Sequence, residues 1–352
     1  MTTLLIMAGG TGGHVFPALS VADEMRRRGV EVVWLGTRHG LEARAVPKAG
    51  FDIEWIAIRG LRGTGLTGLL RTPFLLALAM YQTLGVVLRR RPAAVLGMGG
   101  FVSGPGALTA WLLRIPLLVH EANAIAGFTN RWLARVAQRV MTGFPIQLGP
   151  KSIHVGNPVR ADILAVPEPA TRLSGRDGLL RILVVGGSQG ARALNNRMPE
   201  LLPGLPVPVA IRHQAGRNNA EAVRRGYETA GAEAEVVEFI DDMAAAYAWA
   251  DLVICRAGAM TVAEICASGS AAVFVPFPAA VGDHQTFNAR LLCDRQAAWM
   301  WPEAELDAET VSVFFASVTR EALQERAVRA RALAVPDSTQ RVSDQCMEVL
   351  YA

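Results

Sequence analysis

The same short device occurs twice in this chain: an apolar strand that runs straight into a glycine-rich turn opening a helix. The first copy is Leu4-Leu5-Ile6-Met7-Ala8 followed by Gly9-Gly10-Thr11-Gly12-Gly13-His14; the second is Arg181-Ile182-Leu183-Val184-Val185 followed by Gly186-Gly187-Ser188-Gln189-Gly190. A looser copy, Gly97-Met98-Gly99-Gly100-Phe101-Val102-Ser103-Gly104, lies between them. Glycine lets the backbone turn tightly and approach a ligand closely, and the N–H groups of a helix start attract an anion. One such turn in each half predicts an α/β protein of two nucleotide-type, Rossmann-like domains with parallel sheets, facing each other across a cleft.

Particular residues speak against two familiar forms of the turn. A dinucleotide fingerprint needs a third Gly or Ala and an acid about 20 residues on. Here Val15 stands at the third position, and the next strand, Glu31-Val32-Val33-Trp34-Leu35, ends in Gly36-Thr37. A phosphate-binding P-loop needs Gly-Lys-Ser/Thr, and the chain's only lysines are Lys48 and Lys151. Turns built merely for packing have no need of Thr11, His14 and Ser188.

At 352 residues the chain is long enough for two domains, each with its own core. Met1-Thr2-Thr3 leads directly into the first strand, which predicts no secretory leader. Cys255, Cys266, Cys293 and Cys346 show no C-x-x-C or zinc spacing, so they read as reduced thiols of a cytosolic protein. No H-E-x-x-H or D-x-D occurs. The expectation is therefore no cofactor and no metal, with helix N-termini and arginine neutralising any bound diphosphate.

Charge is distributed unevenly. Residues 1–160 carry 18 Lys+Arg against 7 Asp+Glu, a net of +11, whereas the remainder carries a net of −7. That points to an anionic partner for the first half alone. There is no nucleic-acid motif, and the basic residues flank the most apolar stretch, Phe74 to Leu88, bracketed by Arg71 and Arg89-Arg90-Arg91. At ~1.5 Å per residue this stretch spans about 22 Å, short of the ~30 Å hydrocarbon core. Two readings stay open: a buried helix on a sheet, or a peripheral contact in which Phe74, Leu75, Arg89, Arg90 and Arg91 meet an anionic membrane surface.

Strands are expected near 3–8, 31–36, 52–57, 93–97, 116–120 and 139–142, with helices near 16–28, 66–90, 103–114 and 127–136. Val155 to Arg160 breaks the alternation and marks the link between a first domain, 1–160, and a second, 161–337. A last helix, within 338–352, is expected to return to the first domain.

Met7 to Leu19 and Leu96 to Gly106 resemble the N-domain loops of the MurG family, the N-acetylglucosaminyltransferases of peptidoglycan synthesis. The resemblance continues through His120-Glu121-Ala122-Asn123, Val155 to Arg160, Val184 to Asn195, Phe239 to Met243 and Asp251 to Glu264. It implies the GT-B architecture and a metal-independent, inverting transfer. N-acetylglucosamine (GlcNAc) would pass from UDP-GlcNAc to the MurNAc C4 hydroxyl of undecaprenyl-pyrophosphoryl-MurNAc-pentapeptide (lipid I), giving lipid II at the cytoplasmic face of the inner membrane. Under it the second domain binds the donor, and the basic first domain meets acceptor and membrane.

Residue by residue, the resemblance implies donor contacts at Thr11, Gly12, Gly13, Asn123, Arg160 and Ser188. It assigns Ile240 to uracil, Ala259, Met260, Thr261, Val262 and Ala263 to the nucleotide, Glu264 to the ribose, and Gln285 with Asn288 to the donor sugar. Ala122 and His284 depart from the family's usual Gln at both places. His14, at a helix start, is the candidate general base; Glu121 and Asp23 are weaker ones. Two other readings remain: a different GT-B enzyme with the same donor, and an idle UDP-sugar sensor or membrane scaffold.

Overall fold

A computed structural model describes residues 2–58, 65–187 and 189–352. The chain divides into two compact units, residues 1–160 with 337–352 and residues 161–336. In the first, strands β1 (Thr3–Met7), β2 (Glu31–Gly36), β3 (Asp52–Trp55), β4 (Ala94–Gly97), β5 (Leu117–Glu121), β6 (Arg139–Thr142) and β7 (Ser152–His154) form one parallel sheet, ordered β3-β2-β1-β4-β5-β6-β7. Helices α1 (Gly12–Arg27), α2 (Glu42–Lys48), α3 (Gly65–Arg90), α4 (Ser103–Leu112) and α5 (Phe128–Leu133) link the strands. Strand β1 is buried on both faces because its side chains alternate. Leu4 and Ile6 pack with Val15, Ala18 and Val21 of α1, while Leu5 and Met7 pack with Val86 of α3 and Ala107 of α4.

Strand order reverses between β1 and β4, and in open parallel sheets ligands bind beyond the strand ends at such a point. Both glycine turns of this unit, after β1 and after β4, stand there. The chain's last helix, Ser338–Leu350, belongs to this unit: Val342 and Cys346 join the α1 core, and the Ser338 hydroxyl donates to the Asn157 carbonyl at 2.8 Å.

Helix α3 corrects the length argument. It has 26 residues, about 39 Å at ~1.5 Å per residue, and its Thr72–Arg90 portion is long and apolar enough to cross a membrane by length and composition alone. Within that portion Ala79, Thr83, Val86 and Val87 are buried, and three of them lie in the core beneath the sheet. On the opposite face Phe74 is 80% exposed and Tyr81 74% exposed.

In the second unit, β8 (Leu180–Val185), β9 (Val209–Gln214), β10 (Ala234–Val237), β11 (Leu252–Cys255), β12 (Ala272–Phe274) and β13 (Trp299–Met300) form a parallel sheet ordered β10-β9-β8-β11-β12-β13. Its helices are α6 (Ala161–Leu164), α7 (Pro169–Arg172), α8 (Arg192–Leu201), α9 (Ala220–Thr229), α10 (Met243–Trp249), α11 (Ala259–Ser268), α12 (His284–Cys293), α13 (Ala308–Ser317) and α14 (Arg320–Ala332). The reversal here lies between β8 and β11. Arg172 pins the rear of this unit, donating to the carbonyls of Tyr247, Ser268 and Gly269 at 2.8, 3.2 and 2.6 Å. A cation at helix C-termini is favourable, although burial pushes this guanidinium down to about 10.

Candidate active site

In the first unit, α1 starts four residues earlier than its apolar pattern suggests, which places His14 in the first helical turn. Thr11 is the N-cap, and its side chain makes no capping bond. The turn after β4 wedges against this one. A Cβ on Gly100 would collide with the Gly9 carbonyl, and one on Gly99 would overlap the His14 imidazole. Both glycines have positive φ, +85° and +106°, so glycine is required on two counts. The Ser103 hydroxyl accepts the Gly99 N–H at 3.2 Å, which fixes the second turn.

The weaker base candidates are otherwise engaged. Glu121 accepts the Asn123 N–H at 2.9 Å, the Asn123 amide at 3.1 Å, the Gly127 N–H at 3.0 Å and the Asn130 amide at 2.8 Å. It is the organiser of the loop that presents Asn123. Asp23 pairs with Arg26 and sits nine residues beyond His14, roughly 13 Å along the helix. His120 is buried and donates to the Gly156 carbonyl at 3.0 Å; burial pushes its imidazole below the ordinary range. Arg160 lies over the Phe16 ring of α1, 5.8 Å from its centroid.

Of the residues expected at a membrane surface, Phe74 and Leu75 are exposed, and two of the three arginines are engaged with carboxylates. Arg89 donates to Glu54 at 2.9 Å, and Arg90 to Glu54 and Asp52 at 2.8 and 3.1 Å. Two of the three charges thus belong to ion pairs with edge strand β3. Arg91 is exposed beyond the helix.

In the second unit a cavity of about 1150 Å³ opens at the β8–β11 switch point. Gly186, Gly187 and the start of α8 form one wall, Gly258 and Thr261 of α11 another, with Phe277 and Gln285 at the rim. Ser188 lies outside the described residues. Gly258 caps α11 without a side-chain bond, and α8 likewise has no side-chain cap, leaving both helix starts suited to a phosphate.

Along α11, Ala259 and Val262 are buried, so the Val262 side chain belongs to the core, while Met260, Thr261, Ala263 and Glu264 are half-buried. Glu264 is the sixth helical residue, in the second turn rather than the first. The buried Tyr247 hydroxyl donates to its Oε2 at 3.0 Å.

Two residues expected to meet sugar and base are engaged with other parts of the chain. Asn288 is fully buried and donates to the Ala257 carbonyl at 3.1 Å, a strut beneath the loop, whereas its partner Gln285 lines the cavity and accepts the Phe277 N–H at 3.0 Å. The Ile240 N–H, expected to read a base, donates to the Gln214 side chain at 3.1 Å.

Sequence reasoning missed four residues. Gln214 holds Ile240, and Tyr247 holds Glu264. Arg256 donates to the Val275 and Pro276 carbonyls at 3.0 and 3.1 Å and pairs with Glu303 at 2.6 Å, supporting the cavity rim. Glu42 accepts the Gly10 N–H at 2.9 Å. Each acts on a partner far away in sequence, so no local motif announces it.

Two Rossmann-like units, each with glycine turns at its switch point, define the GT-B class of sugar-transferring enzymes. The chain matches the glycosyltransferase family 28 N-terminal domain over residues 4–142 and the C-terminal domain over residues 181–342; it belongs to that family and, within it, to the MurG family. It is 54% identical over 352 residues to the UDP-N-acetylglucosamine--N-acetylmuramyl-(pentapeptide) pyrophosphoryl-undecaprenol N-acetylglucosamine transferase of Nitrosococcus oceani, covering 98% of each chain. It is 53% identical over 351 residues to the same-named transferase of Alkalilimnicola ehrlichii, again over 98% of each. The crystal structure of Acinetobacter baumannii MurG, 42% identical, aligns with a TM-score of 0.83 over 99% of this chain and 100% of that one. A Neisseria meningitidis UDP-GlcNAc 2-epimerase, at 12% identity and TM-score 0.66 over 99% and 100%, shares the fold alone.

Proposed function

We propose that this enzyme is an inverting N-acetylglucosaminyltransferase that moves GlcNAc from UDP-GlcNAc to the C4 hydroxyl of MurNAc in lipid I, giving lipid II. The observation that carries this is identity above one half with the same-named transferases over 98% of the chain. The second unit takes the donor: the cavity at the β8–β11 switch point receives the diphosphate on the starts of α8 and α11. Glu264 accepts the ribose hydroxyls, and Gln285 holds the sugar. Attack from the face opposite UDP develops positive charge on the sugar ring, as in glycoside cleavage, while helix-start N–H groups and Arg160 stabilise the leaving diphosphate. His14 takes the proton of the attacking hydroxyl. Thr11, Gly12, Gly13 and Asn123 belong to the sugar-facing part of the first unit.

The same reading makes the enzyme peripheral at the cytoplasmic face of the inner membrane. The outward row of α3, Phe74, Leu75, Leu78 and Tyr81, is exposed, and Trp111, Leu112 and Leu113 stand exposed on the neighbouring helix α4 and its end. Apolar side chains in the interface and basic ones nearby form a peripheral attachment. The deciding experiment for the function is incubation with UDP-GlcNAc and a short-chain lipid I analogue, with the product linkage read by NMR. A β-1,4-linked disaccharide is expected, and absence of transfer sinks the reading.

A further inference from the structure

A fully buried carboxylate stands under the first glycine turn, and no step above uses it. Glu42, the first residue of α2, is 0% exposed. Its Oε2 accepts the Gly10 N–H at 2.9 Å, and its Oε1 accepts the Thr37 N–H at 3.0 Å and the Thr37 hydroxyl at 2.7 Å. Glycines shape the cradle: a Cβ on Gly9 or Gly36 would lie 2.7 or 2.8 Å from Glu42 side-chain atoms, and one on Gly40 would collide with the carboxylate. The clasp is two-sided, because the Leu41 N–H also reaches the Gly10 carbonyl, at 3.3 Å. Gly10 itself has φ +93°, a conformation held by these bonds, and its neighbour Gly9 packs against Gly100 of the second turn.

In nucleotide-binding turns such N–H groups receive a phosphate oxygen. Here the chain's own carboxylate receives one. A buried carboxylate is tolerated only when donors satisfy it, so the turn and Glu42 fix each other. An anion brought to Gly10 meets an occupied donor and a like charge in a medium of low dielectric.

We infer that Glu42 is a positioning and specificity-determining residue. It fixes the turn carrying Thr11, Gly12 and His14 and closes that turn to phosphate, so the first turn serves an uncharged sugar and the donor's diphosphate rests on the helix starts of the second unit. The inference rests on the reading of the first turn as part of the transfer site.

The test compares full-length wild type with Glu42→Gln, which keeps the size but removes the charge and one acceptor. Misplacing a reacting group by about an ångström costs up to ~100-fold, so kcat should fall about tenfold or more, with UDP-GlcNAc affinity by calorimetry within about twofold of wild type. Inorganic pyrophosphate, titrated into the UDP-saturated protein, should bind the variant and not the wild type. Both results are required: a near-wild-type kcat, or no pyrophosphate bound, overturns the inference. If Glu42→Gln does not fold, Thr37→Val decides. This isosteric change removes one donor to Glu42 and should lower kcat by roughly threefold or more; an unchanged kcat overturns the inference. Pyrophosphate binding needs no turnover, so failure of the transferase reading is separately visible as a wild type that makes no disaccharide.

Discussion

Gly99 packs against the imidazole of His14, in a place where any side chain would overlap the ring. The contact joins the turn after β4 to the turn after β1 and leaves the His14 side chain one wall to rest on. Gly149 provides a control: its φ is +108°, close to the +106° of Gly99, but a Cβ there meets nothing within 4 Å. Left-handed strain should cost alanine about 1–2 kcal/mol of stability at either position, and Gly99→Ala should cost more because its Cβ also meets the ring. Only Gly99→Ala should also lower kcat, by about tenfold or more. Equal kcat in the two variants, measured at a temperature where thermal unfolding curves show both folded, would show that the His14 contact is incidental.

His14→Ala should leave UDP-GlcNAc affinity unchanged and lower kcat by about 10²–10⁴-fold, the usual range for loss of a general base. A variant within about threefold of wild type would assign the proton to another group.

Glu264→Ala should weaken UDP-GlcNAc by roughly 10- to 150-fold, the equivalent of ~1.5–3 kcal/mol. Tyr247→Phe removes only the hydroxyl that holds Glu264 and should weaken the donor about threefold to tenfold. Because Tyr247 acts through Glu264, the two losses should not add. Calorimetry on the double variant checks this, and fully additive losses would separate the residues.

The second unit should lose stability in mild acid. His213 is buried, with Nε2–H donating to the Asn195 side-chain oxygen at 3.2 Å and Nδ1 accepting from the Tyr227 hydroxyl at 3.1 Å. Burial pushes its imidazole down to about 3 from an ordinary 6.5. The unfolded chain therefore binds a proton that the folded chain refuses, and the His213 contribution is complete above pH 6.5 and lost progressively toward pH 3. The slope reaches at most about 1.4 kcal/mol per pH unit. Denaturant unfolding between pH 7.5 and 5, roughly the upper part of that window, should show a weaker pH dependence in His213→Gln than in wild type. Identical slopes would acquit this histidine.

Vesicle binding should depend more on the outer row of α3 than on Arg89 and Arg90, whose charges are tied to Glu54 and Asp52. Phe74→Ser with Tyr81→Ser should reduce binding to anionic vesicles by about tenfold or more, since a buried large apolar side chain contributes ~1.5–3 kcal/mol. High salt should weaken what remains. Sedimentation with vesicles that is indifferent to the double change would move the contact elsewhere.

The glycine turns, the alternation of strand and helix, and the parallel sheets were all legible in the sequence. Each is written locally: Leu4-Leu5-Ile6 reads as a strand buried on both faces, and Gly-rich runs mark where backbone must turn tightly or approach another chain segment. The sequence also determined which chemistries to exclude, because a missing Gly-Lys-Ser or D-x-D is visible without a fold. Tertiary structure alone decided which polar groups meet. Glu42 and Gly10 are 32 residues apart, and Gln214 and Ile240 are 26 apart; strand order, not spacing, brings them together. Periodicity marked α3 as apolar, but the core under Ala79 and Val86 decided which side faces inward. The ion pairs of Arg89 and Arg90 at its end were not legible, because β3, which carries Glu54, meets them only after the sheet has formed. Local sequence fixes which conformations the backbone can adopt, whereas a hydrogen bond between distant segments exists only where the packed sheet sets its two ends within reach.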